Sequence, residues 1–145
     1  MTEIAFHFGA PDKIGYACRL LRKAVRAGNR VVVVVDEPHL NRLDAELWGV
    51  SAVDFVAHCF ESADSKMLKH SSVVLATSAS SLHNDRHLLV NLSDATPNEF
   101  DRYSKLIEVV SLEEDDRALA RQRWKKYTSL GYTLMKHDLQ LKEAH

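Results

Sequence analysis

Three basic residues, Arg117, Arg121 and Lys125, are spaced by four along a segment of helical periodicity. Residues four apart lie on one face of a helix, so these cations are predicted to form a single stripe. Trp124 lies next to the stripe in the sequence. Further basic and aromatic residues would widen the surface, namely Arg123, Lys126 and Tyr127.

This pattern is compatible with three interpretations. Arginine holds a carboxylate in a fork and an aromatic ring supplies an apolar wall, which suits an acidic peptide. The same surface suits single-stranded nucleic acid, whose bases stack on aromatic rings. In the third interpretation the bases are merely a solvated helix face, and Trp124 and Tyr127 pack into the core.

Other chemistry has little support in the sequence. Residues 9–15 hold two glycines and Lys13 but match neither phosphate-loop pattern, and Pro11 removes a backbone donor. His83 and His87 are four apart, yet no third ligand follows at a spacing typical of metal sites. No G-x-S-x-G elbow is present. We therefore predict no catalytic residue, no metal and no cofactor.

The beginning of the chain has the pattern of a β-α-β unit. Apolar residues predict a strand at 4–8, and apolar residues spaced by three and four predict a helix over 12–27. Positions 31–35 are all valine. Because these residues do not alternate with polar ones, the strand at 30–35 is predicted to lie in the centre of a parallel sheet, buried on both faces.

The remaining elements continue this alternation. The sequence predicts a helix at 38–47, a polar connection at 61–72, a helical turn at 97–103, and strands at 53–60, 73–76, 88–92, 105–110 and 132–135. Ser111 and Glu114 fit a capping box for a last helix that ends at Gly131. A polar tail covers about 137–145. The predicted fold is a single α/β domain over 1–145, with a mostly parallel sheet, helices on both faces, and no phosphate loop.

Composition excludes several classes of protein. The chain has 145 residues, 46% of them hydrophobic, and a formal net charge of −1. A protein that coats nucleic acid carries a clear basic excess, which is absent here. Two cysteines exclude a disulfide scaffold, and no apolar run is long enough to cross a membrane. Without a secretory signal, a cytoplasmic location is expected.

Three segments, in order and spacing, resemble the chi subunits of bacterial DNA polymerase III over nearly the whole chain. They are LDAELW at 43–48, DFVAH at 54–58, and LARQRWKKY at 119–127 followed by Gly131 and Tyr132. Ala57 replaces a proline that is usual in the family, and Trp124 stands where tyrosine is common.

The resemblance implies a non-catalytic adaptor of the clamp-loader complex with a nucleotide-binding-like fold. Members of this family bind the acidic C-terminal tail of the single-stranded-DNA-binding protein, and they bind the psi subunit. By motif position, Arg121 would hold the terminal carboxylate, and Arg117 and Lys125 would meet the acidic stretch. Trp124 and Trp48 would wall the apolar pocket. Phe55 would belong to the psi-facing surface, and DNA would be contacted mainly indirectly.

Two alternatives stay open at this point. A degenerate nucleotide-binding domain with an ATPase or helicase-like role predicts nucleotide affinity at the first β–α turn, near Lys13. Direct single-strand binding through the last helix needs a positive groove several nucleotides long, and a net charge of −1 disfavours it.

Overall fold

The valine run forms an inner strand, buried at every position, in a sheet of parallel strands. In the computed structural model, residues 1–49, 57–78 and 86–140 are described. Within them seven strands occur in chain order: β1 (Glu3–Ala10), β2 (Val31–Val34), β3 (His58–Phe60), β4 (Val73–Ala76), β5 (Leu88–Asn91), β6 (Lys105–Ser111) and β7 (Leu134–Asp138). The helices of the same residues are α1 (Lys13–Arg26), α2 (Glu37–Trp48), α3 (Ser65–His70) and α4 (Glu114–Ser129), with a 3-10 turn at Phe100–Arg102.

The strands form one open sheet in the order β3-β4-β2-β5-β6-β1-β7. Every pairing between neighbours is parallel. Parallel neighbours need a crossover connection, which explains the alternation of strands and helices along the chain. The predicted α/β class, the parallel sheet and the central position of the valine strand are confirmed.

The sheet has a separate core on each face. Val31 and Val33 point to the face that α1 and α2 cover, where they meet Leu21, Leu43 and Leu47. The alternate valines point to the opposite face, where α4 contributes Ala120 and Tyr127. The two-residue period of a strand therefore places α2 and α4 on opposite sides of the sheet.

Several predicted boundaries differ from the structure. Helix α3 lies in the segment predicted as a connection, and none of its residues is buried, so it leaves no apolar periodicity to detect. The predicted strand at 53–60 is described only from residue 57, and β3 covers its end. Strand β7 extends to Asp138 because it pairs in register with β1, so positions 137 and 138 are not tail.

The predicted capping box at the start of α4 is wrong. Ser111 is the buried last residue of β6, and its hydroxyl accepts a hydrogen bond from the backbone of Glu113 at 3.2 Å. The side chain that makes the hydrogen bonds at the start of α4 is Asp116. Its carboxylate accepts from the Ser111 backbone N–H at 2.7 Å and from Lys13 Nζ at 3.0 Å. One carboxylate thus joins the beginnings of α1 and α4 to the end of β6.

A buried carboxylate fastens α4 to the sheet. Glu108 on β6 is fully buried and accepts from Arg123 Nε at 3.1 Å, Tyr127 Oη at 2.6 Å and Asn91 Nδ2 at 2.9 Å. Burial raises the pKa of Glu108, and the Arg123 charge with these hydrogen bonds opposes the rise. Arg123 also donates to the carbonyl of Asp94 at 2.8 Å. Arg123 and Tyr127 are therefore anchors, and the prediction that they widen the exposed basic surface is wrong.

Replacing Glu108 should destabilise the fold strongly. Glu108→Gln leaves the Arg123 guanidinium buried without its counter-charge, which costs about 3–5 kcal/mol of unfolding free energy. Glu113→Gln, at an exposed position, should change it by about 0.5 kcal/mol or less. Urea unfolding measures both. Equal midpoints for the two variants would contradict the anchoring role of Glu108.

The Lys13–Asp116 pair should make stability depend on acidic pH. Burial raises the pKa of Asp116, but the Ser111 backbone N–H and the Lys13 charge outweigh it, so the pKa lies below its ordinary value of 3.8. This stabilisation is complete above about pH 3.8 and is lost as the pH falls through the folded-state value. Lys13→Met should cost about 1.5–3 kcal/mol at neutral pH. The cost should shrink towards acid pH.

Denaturant unfolding between about pH 6 and pH 3 measures this difference. Lys23→Met is the matched control, because Lys23 is an exposed base on the same helix. If the deficit of Lys13→Met stays constant over this range, the carboxylate partner has been assigned wrongly.

Candidate functional site

A pocket of about 380 Å³ lies between α4 and the strands β1, β6 and β7. Its lining combines apolar residues with three cations. The apolar part consists of Phe6, Phe8, Val110, Ala120 and Trp124, and the cations are Arg117, Arg121 and Lys136.

The strand register builds the apolar floor. Phe6 and Phe8 are two residues apart on β1, so both side chains point to the α4 face, and Phe8 pairs with Val110 of β6. The Trp124 ring meets the Phe6 ring edge-on at a centroid distance of 5.1 Å. Trp124 is half-buried and packs against the core while part of its indole lines the pocket. A ligand side chain placed here would meet aromatic surface on two sides.

The three cations surround this floor. Arg117 and Arg121 are about one helical turn apart, and 52% and 57% of their side chains are exposed. Lys136 reaches in from β7, with Nζ at 5.1 Å from the centroid of the Trp124 ring. An apolar pocket beside two guanidinium groups and an ammonium group can bind a ligand that joins an apolar group to a carboxylate.

Glu114 contacts both arginines from the first turn of α4. Its Oε1 lies 3.1 Å from Arg121 Nη2, and its Oε2 lies 3.9 Å from Arg117 Nη1. The spacing of three and seven residues places all three side chains on one face of the helix. The two guanidinium groups therefore already share a carboxylate of the protein itself.

The structure brings some of the predicted site residues together and separates others. Arg117, Arg121 and Trp124 line one pocket. Lys125 is exposed on α4 but does not line it. Trp48 lies on α2, across the sheet, where its ring contacts that of His58 at 4.7 Å. The expectation that Trp48 walls the same pocket is corrected by this topology, and Phe55 lies outside the described residues.

Besides Ala120 of α4, four lining residues on the strands were missed in the sequence: Phe6, Phe8, Val110 and Lys136. They lie on three strands that are far apart in the chain. They come together only because β6, β1 and β7 are adjacent in the sheet. The alternation of Phe6 and Phe8 indicated a common face, but no local pattern indicated that α4 would cover it.

A second cavity, of about 400 Å³, lies near the carboxyl ends of the inner strands, the usual ligand position in open α/β sheets. Six acidic residues line it: Asp12, Asp36, Asp94, Glu113, Asp115 and Asp116. Lys13 is held by Asp116, and the carboxylate of Asp12 accepts from the Gly15 backbone N–H at 3.3 Å. An internal carboxylate thus caps the helix end that would otherwise attract a phosphate.

Other reactive groups have structural explanations. Cys18 is buried, which together with the Glu46 charge raises the pKa of its thiol to about 11, so it stays protonated. Across residues 1–49, 57–78 and 86–140, no three His, Cys, Asp or Glu side chains are grouped to hold a metal ion. Among the same residues no helix has the length and apolar character needed to span a membrane.

Known proteins resemble this chain over most of its length. The family described as DNA polymerase III chi subunit, HolC, matches residues 1–135. The DNA polymerase III subunit chi of Pseudomonas aeruginosa is 31% identical over 144 residues, which cover 96% of this chain and 98% of that protein. The DNA polymerase III subunit chi of Escherichia coli is 26% identical over 118 residues, which cover 81% of this chain and 79% of that protein.

A solved structure shares the fold at low sequence identity. It is the C-terminal domain of S. cerevisiae Dbp5 bound to Gle1 and IP6, with a TM-score of 0.66, 10% identity, and coverage of 94% of this chain and 90% of that chain. This likeness concerns the fold alone. The sequence relatives carry more weight, since one of them exceeds 30% identity and the family match extends over nearly the entire chain. The chain belongs to the family of DNA polymerase III chi subunits.

Proposed function

We propose that this chain is a non-catalytic adaptor of the clamp-loader complex that binds the acidic C-terminal tail of single-stranded-DNA-binding protein. One observation carries the proposal: the pocket under α4 combines an aromatic floor with Arg117, Arg121 and Lys136 at its rim. A peptide that ends in an apolar residue has the matching chemistry. Its last side chain fills the pocket while its terminal carboxylate meets a guanidinium group.

Three cations of α4 have separate roles in this arrangement. Arg121 is close to Trp124 in sequence and lines the pocket with it, so it is suited to the terminal carboxylate. Arg117 lies about one turn nearer the start of α4, and Lys125 one turn nearer its end. Both are exposed and suited to the acidic residues that precede the terminus. The interaction of such rim charges is weak individually and is screened by salt.

The other expected partner would use a different surface. Trp48 is 57% exposed on the opposite face of the sheet, and exposed tryptophans are frequent anchors of protein interfaces. We assign it, with Phe55, to the surface that binds the psi subunit. Contact with DNA is then mainly indirect, and the complex acts in the bacterial cytoplasm at the replication fork.

A nucleotide-dependent activity is disfavoured by the acidic cavity around Lys13. Purified protein should show no ATP turnover in a phosphate-release assay. The carboxylates would repel a triphosphate, and Lys13 is engaged by Asp116. ATP turnover that Lys13→Ala abolishes would contradict the adaptor role, since the same cavity would then be catalytic.

Binding of a short acidic peptide that ends in Phe should be micromolar, about −8 kcal/mol. Arg121→Ala should weaken it about tenfold or more, because a hydrogen bond to a charged group contributes about 1.5–3 kcal/mol. Arg117→Ala should weaken it by about fivefold or less, as expected for an exposed pair. Calorimetric titration at two salt concentrations measures these constants.

Lys126→Ala is the matched control for the loss of one positive charge from α4, because Lys126 is exposed and does not line the pocket. Its effect should be the smallest of the three. The peptide without its terminal Phe tests the aromatic floor. If that shortened peptide binds as tightly as the full one, the pocket is not the binding site.

A further inference from the structure

We infer that Glu114 is a built-in competitor for the carboxylate of the ligand and thereby lowers the affinity of the pocket for it. This inference rests on the proposed function, because it concerns the same two arginines. In the free protein Glu114 lies 3.1 Å from Arg121 and 3.9 Å from Arg117. A carboxylate that arrives at Arg121 meets this negative charge and must displace it.

The acids at the start of α4 divide between two sides of the helix. Glu113, Asp115 and Asp116 line the cavity near the carboxyl ends of the strands. Glu114 does not line that cavity, and it contacts the arginines of the pocket instead. An acid in the first turn favours the helix at any of these positions. The stabilisation of the helix therefore does not account for the contact that Glu114 makes with the arginines.

Displacement of Glu114 is feasible at low cost. Three quarters of its side chain, 75%, is exposed, so its carboxylate regains water as soon as it leaves Arg121. An exposed ion pair of this kind changes an equilibrium by no more than about fivefold. Glu114 therefore lowers the affinity of the pocket for a carboxylate ligand moderately and does not prevent binding. The competition concerns only ligands that carry a carboxylate, and the affinity for neutral apolar ligands is unaffected by Glu114.

The effect of Glu114 should depend on the carboxylate of the ligand. Glu114→Gln keeps the size of the side chain and an acceptor oxygen but removes the charge. We expect it to raise the affinity for the acidic peptide ending in Phe by about twofold to fivefold. For the same peptide with an amidated C-terminus the gain should be clearly smaller, because no terminal carboxylate competes for Arg121 and only the acidic residues near Arg117 still compete with Glu114.

Asp115→Asn is the matched control, because it removes one charge from the same helical turn on the side of the other cavity. Titration of the wild type and both variants with both peptides at one salt concentration measures the change in affinity that each substitution causes. A gain that is confined to Glu114→Gln and is larger for the free carboxylate than for the amide supports the competitor role. A gain of equal size in Asp115→Asn, or no gain in either variant, overturns it. If the wild type does not bind the free-carboxylate peptide at all, the proposed function itself fails.

Discussion

The position of α4 depends on one buried carboxylate. Glu108 is the one acidic residue of β6, and strand pairing on both sides of β6 fixes where its side chain points. A buried charge is stable only when it is paired and hydrogen-bonded. Arg123 and Tyr127 meet that need from α4, and Asn91 meets it from β5. The helix therefore has one rotational setting on the sheet in which this carboxylate is satisfied.

This setting determines which residues of α4 line the pocket. With Arg123 and Tyr127 turned inward, Arg117 and Arg121 come to lie above Phe6 and Phe8, and Trp124 comes to lie between core and pocket. A rotation that exposed Arg123 would leave the buried carboxylate of Glu108 without its ion-pair partner. It would also move the Trp124 ring away from the Phe6 ring. The lining of the pocket is thus positioned by a polar contact beneath α4, and the exposed cations themselves have little influence on the fold.

Sequence patterns predicted what depends on local periodicity. The valine strand was accessible as an unbroken β-branched run, and the longer helices and the stripe of Arg117 and Arg121 were accessible from spacings of three and four residues. The pairing of Arg123 with Glu108 was not recognised, since an arginine next to exposed bases has the composition of a surface residue. A signal existed: Glu108 interrupts an apolar strand, and a buried acid requires a base. The floor of the pocket depends on the order of the strands in the sheet, which local sequence patterns do not indicate.

The same sheet could have housed its ligand at the carboxyl ends of the strands, as open α/β folds commonly do. Here acidic side chains of the protein itself line the cavity at that edge. Asp12 caps α1, Asp116 holds Lys13, and the remaining acids make the cavity repulsive to phosphate. Positive charge is concentrated instead on the side of the sheet where β7 extends it beyond β1, since Lys136 and the two arginines line the pocket there. A chain of nearly zero net charge can therefore present a strongly positive pocket, because the acids and the bases around its two cavities are separated.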